Sequence, residues 1–207
     1  MIMSADDARD DDPVAAALTE GSPYERLRVQ RISVFSWSLA EKLQRVGVVM
    51  LVLGVGVGAL AFVSPNGATI PVDPGRTSTY ASLVSLIALG TLALVALALS
   101  ALAGFRERNE PLSVERAETM LVAEELCALV GFITAGTITV IAVGLCLLPY
   151  LGGDSVTRFV SSLARSPYAA IETAFPVLPR LIAPVAFVLA ALCLLAGRRW
   201  QAQWTGS

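Results

Sequence analysis

Long stretches of this chain carry no charged residue at all, and short, charge-rich stretches separate them. No Asp, Glu, Lys or Arg falls between Val46 and Val63, Thr77 and Phe105, Leu126 and Gly153, or Leu181 and Gly197. Each stretch approaches or exceeds the ~17–25 apolar residues that cross a ~30 Å hydrocarbon layer as a helix. A helix on a soluble core would keep a polar face, and none of the four has one. A membrane β-barrel would alternate in polarity over segments of ~10 residues, whereas these runs are continuous. In lipid every backbone N–H and C=O must find its partner inside the element, so a continuous apolar run has to be helical. The pattern predicts an all-α integral membrane protein. A four-helix transmembrane bundle occupies residues 46–199, with spans near 46–63, 80–105, 120–150 and 181–197, and amphipathic helices flank it.

Composition agrees with the pattern: 55% of the residues are hydrophobic and 15% charged, against about 25% charged in an ordinary soluble domain. The basic residues add an orientation. Eleven of the 15 lie before helix 1, between helices 2 and 3, or after helix 4, and four lie in the other two links. Basic loops stay inside, so both termini are expected on the cytoplasmic side of a cell membrane. Residues 1–13 are acidic and lead into no early apolar core, so no cleavable signal peptide is expected.

The arm before helix 1 divides in two. Residues 1–21 hold Asp6, Asp7, Asp10, Asp11 and Asp12 with little to bury, which reads as a disordered acidic tail. From Ser22 to Arg45, a cap at Ser22, Pro23 at the first helical position and Glu25 three residues after the cap mark a helix start. Val29, Ile32, Phe35, Leu39 and Leu43 follow on one stripe, with Arg26, Arg28 and Arg31 beside it and Trp37 near the interface. Two readings stand: an amphipathic helix on the anionic inner surface, or a cytoplasmic extension of helix 1 packed on the other helices. A second amphipathic piece lies in the third link, with Val156, Phe159, Val160 and Leu163 on one face and Pro167 beyond its end. Pro184 is expected to bend the start of helix 4. Residues 200–207 form a short C-terminal tail.

Small residues mark the expected helix contacts, because close backbone approach is what holds helices together in lipid. Gly47, Gly54 and Gly58 share a face of helix 1, and Gly54 and Gly58 form a G-x-x-x-G. Helix 3 carries Cys127, Gly131, Ala135 and Thr139 at four-residue steps. Helix 4 carries Ala183, Ala186, Ala190, Cys193 and Gly197 at heptad spacing. The sequence also echoes itself. Ala40-Glu41-Lys42-Leu43 before helix 1 resembles Ala123-Glu124-Glu125-Leu126 before helix 3. Two tandem helical hairpins, related by an axis along the membrane normal, are one way to read this. Chance matches in an Ala- and Leu-rich chain are the other.

Chemistry is sparse. There is no His, so the usual general base, haem ligand and most zinc sites are excluded. Cys127, Cys146 and Cys193 all fall inside predicted spans without C-x-x-C spacing and read as small apolar residues. No phosphate loop or nucleophile elbow occurs. An enzyme is not expected, nor any cofactor, metal or nucleic acid. The ionisable groups nearest a span are Glu124 and Glu125, just before helix 3. Glu125 can be placed at a cytoplasmic entrance paired with Lys42, Arg45 or Arg106; the plainer reading is interfacial carboxylates solvated by water and neighbouring Arg. Thr134, Thr137 and Thr139 can line a polar path or bond back to the carbonyl one turn earlier.

Fourteen of the 15 basic residues are Arg and the tail is Asp-rich, which resembles the composition of proteins from salt-loving archaea. The expected role is a non-catalytic membrane subunit or scaffold acting through helix packing, with itself or with another membrane protein. The alternative is a small transporter or channel for an ion or small solute.

Overall fold

The computed structural model describes residues 37–62, 77–109, 113–151, 153–163 and 165–205. The acidic tail and the Ser22–Glu25 capping box lie outside the described residues. Among the described residues five α-helices follow in order: α1 (Leu39–Phe62), α2 (Tyr80–Asn109), α3 (Val114–Leu147), α4 (Gly153–Ser162) and α5 (Pro179–Thr205). A 3-10 turn, Leu148–Leu151, extends α3. Among the described residues there is no strand, only an isolated bridge between Thr79 and Ala170. α1, α2, α3 with its 3-10 turn, and α5 are each long and apolar enough to cross a membrane. At ~1.5 Å per residue the shortest, α1, reaches ~36 Å.

All four long helices extend past the charge-free runs. α1 begins seven residues before the expected start, at a capping box that the sequence reading did not include. The Ser38 N–H donates to Glu41 Oε2 at 2.6 Å, and the Glu41 N–H donates to Ser38 Oγ at 3.2 Å. Residues 39–45 therefore belong to α1. Leu39, Ala40 and Leu43 are fully buried, so this stretch extends helix 1 against its neighbours and does not lie on a surface. α5 starts with Pro179 in its first turn, where a missing N–H costs nothing, and continues through Pro184 as one helix.

α1 and α2 each touch the three other long helices, while α3 and α5 do not touch each other. The bundle is thus a rhombus with α1 and α2 on its short diagonal. Neighbours in sequence run antiparallel, and the start of α1 meets the end of α5 where Gln44 Nε2 donates to Gln201 Oε1 at 3.0 Å. A twofold repeat of hairpins would set α1 and α3 at opposite corners. Here they share an edge, so the arrangement lacks that relation.

The middle of the bundle is filled by Val46, Met50, Leu53, Val57, Leu92 and Leu99, all essentially inaccessible. The end formed by the C-termini of α1 and α3 is closed by residues 165–178. Their backbone pairs with the start of α2: the Ala81 N–H donates to the Pro167 carbonyl and the Ile171 N–H to the Ser78 carbonyl, at 2.9 and 3.0 Å. Thr79 and Ser82 cap α2 reciprocally, at 2.8 and 3.3 Å. Tyr168 donates to the Leu145 carbonyl at 2.7 Å and Tyr150 to the Ala59 carbonyl at 2.6 Å. In α4, Val160 packs on the core while Phe159 is exposed.

Candidate functional site

The other end of the bundle carries the buried charged side chains. Lys42 sits in the first turn of α1, and Glu124 lies in α3 about three turns from its start. Their side chains meet with Nζ to Oε1 at 2.6 Å, each about 3% exposed. Arg106, near the end of α2, is a third buried charge. Removing two ions from water costs several kcal/mol per ion, and only a close, hydrogen-bonded partner offsets it. A contact of this length between otherwise enclosed groups meets that condition and ties α1 to α3.

The sequence reading offered Glu125 as the partner of Lys42, Arg45 or Arg106, with solvated interfacial carboxylates as the plainer alternative; the structure pairs Lys42 with Glu124 instead. Glu124 and Glu125 differ by one residue, hence by ~100° around the helix. Glu124 falls in register with Ala117, Leu121, Ala128 and Ala135, which are all buried. Glu125 is turned aside and half-buried. Glu124 stands one heptad before Gly131, but the four-residue steps of the small-residue stripe lead back to Ala123, so the stripe did not point to it. Arg45 is exposed and belongs to a different contact. Its guanidinium lies 3.5 Å from the centre of the Trp37 ring, which meets Phe132 edge-on at 6.0 Å.

The small residues of α1 and α5 face one another. A Cβ built at Gly47 would stand 3.1 Å from the Ala190 carbonyl oxygen and 3.0 Å from Leu194. At Gly54 it would meet Phe187 and Ala186 at 3.3 and 3.4 Å, and at Gly58 Ala183 at 3.9 Å. At Gly197 it would lie 3.0 Å from the Ala40 carbonyl oxygen. Ala186 and Ala190 are fully buried in the same seam. On α3, Gly131 faces α2, where a Cβ would come within 2.6 Å of Val95. Ala135 and Thr139 are buried on that stripe. Thr137 bonds back to the Ile133 carbonyl at 2.8 Å, as a helical Thr commonly does. Thr139 does not: its Oγ1 is buried without a hydrogen-bond partner.

The chain matches no protein-family model, no curated protein and no solved structure. Its residues are therefore the sole guide to its chemistry. Among those described, no group of three or more His, Cys, Asp or Glu side chains could hold a metal ion. Cys127, Cys146 and Cys193 are free thiols, with Cys146 and Cys193 buried. Cys146 Sγ lies 3.6 Å from Ser85 Oγ, whose hydroxyl donates to the Ala81 carbonyl at 2.8 Å. The arrangement at the charged end can bind helices to one another.

Proposed function

We propose that this chain is a four-pass membrane protein, with both ends cytoplasmic, that acts as a non-catalytic subunit or scaffold through helix packing. The observation that carries the reading is the distribution of apolar side chains. The rhombus is filled across its short diagonal, while the outer faces of α2, α3 and α5 stay strongly apolar. Leu94, Leu97, Val140 and Leu195 are each more than 60% exposed. In water such faces would drive association; lipid or a partner helix accounts for them. The 11-to-4 basic asymmetry supports the orientation.

A small transporter or channel is the second reading, and one observation favours it. Buried ionisable groups in membrane helices commonly mark substrate or ion paths, and Lys42, Glu124 and Arg106 are buried. Against it, the buried polar groups at the two ends, Lys42 and Glu124 at one and Thr79, Ser82 and Ser85 at the other, are separated by the Met50–Leu53–Leu92 layer. Mass measurement of the detergent-solubilised protein separates the two. A stable complex with another membrane chain is expected. A homo-oligomer that conducts ions in a planar bilayer would contradict the scaffold reading.

A further inference from the structure

α2 and α5 meet only sparsely, and where their ends part at the charged end of the bundle they leave a cleft of about 440 Å³ lined by Glu107, Leu192, Leu195, Ala196, Arg199 and Trp200. Leu192, Ala196 and Arg199 recur at helical spacing on one face of α5, so an apolar track leads directly to a guanidinium. Leu192 and Leu195 are more than half exposed. The mouth carries one charge of each sign, Arg199 from α5 and Glu107 from α2, and both residues are exposed. Trp200 is half-buried there, and an indole with one apolar and one wet side suits the level of lipid headgroups.

From this cleft we infer a binding site for one phospholipid with an ammonium-bearing headgroup. Arg199 takes the phosphate, Glu107 the ammonium, and an acyl chain lies along Leu192, Leu195 and Ala196. Charge complementarity selects the occupant. A guanidinium binds a phosphate oxygen by charge-assisted hydrogen bonds, and a carboxylate at the same mouth repels a headgroup of net negative charge. The inference rests on the membrane reading above.

The test is native mass spectrometry of the full chain in detergent, titrated with phosphatidylethanolamine or phosphatidylglycerol. One phosphatidylethanolamine should be retained per chain, in preference to phosphatidylglycerol. Arg199→Gln should weaken retention about tenfold or more, the usual loss for a hydrogen bond to a charged group, and Arg199→Lys should recover much of it. Glu107→Gln should abolish the headgroup preference, and Arg198→Gln should change nothing. Melting in lipid-free detergent checks that the variants fold. No retained lipid, equal retention of both lipids, or undiminished binding by Arg199→Gln would overturn the site. Alkaline carbonate extraction of cell membranes reports insertion separately: a protein released by carbonate defeats the membrane reading itself, and an inserted protein that retains no lipid defeats only this site.

Discussion

Lys42 of α1 and Glu124 of α3 form an ion pair at 2.6 Å, with both side chains about 3% exposed. They stand 82 residues apart in the chain, so the pair fixes the register of two helices that no short loop joins. Leaving either ion without its partner strands a charge in a site that has already lost its water. Glu124→Ala should cost about 3–5 kcal/mol of stability, and Lys42→Met combined with Glu124→Gln should recover a large part of it. Thermal unfolding in detergent checks this, and equal losses in the single and double variants would contradict it.

The number, order and rough limits of the long helices were legible in the sequence, because charge-free runs mark what an apolar surrounding requires. Helix ends were less so. α1 starts at Ser38 and Glu41, polar residues that a hydropathy pattern treats as outside the helix although they cap it. The ion pair was hidden for a related reason. Glu124 and Glu125 are equivalent by composition, and only the helical angle, set by packing against α1 and α2, buries one of them. The rhombic arrangement could not be read from small-residue stripes, which say that helices approach closely without saying which ones.

Close approach of backbones makes a graded prediction for glycines. At Gly47 and Gly131 an added Cβ meets Ala190 or Val95 inside normal contact distance, whereas at Gly136 it meets nothing within 4 Å. Gly47→Leu and Gly131→Leu should each cost about 1–3 kcal/mol or more by overpacking. Gly136→Ala should be neutral or stabilise by up to ~1 kcal/mol, because alanine loses less backbone freedom in a helix. The order of melting temperatures in detergent measures the difference. Equal damage at Gly131 and Gly136 would remove helix contact as its cause.

Tyr168 gives a pH signature at the closed end of the bundle. Its side chain is buried and donates to the Leu145 carbonyl. Burial first, and the neighbouring Cys146 second, push its phenol well above the ordinary value. A group whose folded pKa lies above its unfolded one lends stability that is complete below the unfolded pKa, ~10 for tyrosine, and is lost as pH rises toward the folded value. Stability should therefore fall above about pH 10, with a shallower fall in Tyr168→Phe. At neutral pH that variant should lose about 1 kcal/mol, the worth of one hydrogen bond. Denaturant melts at pH 8 and pH 10.5 compare the two proteins, and parallel losses would contradict the assignment.

Proton coupling provides a functional prediction. In the scaffold reading the Lys42–Glu124 pair holds helices together and moves no proton across the bilayer. Vesicles containing the protein and an internal pH dye should show the same proton leak as vesicles with Glu124→Gln, provided that the variant folds. A substrate-dependent flux lost in the variant would make transport the leading account.

The central claim is that the chain crosses a bilayer four times with both ends inside. Reporters placed after Ser207 and at Gly67, between α1 and α2, test it most directly. The account predicts a cytoplasmic signal from the first and an external one from the second. Both reporters on the same side would contradict it.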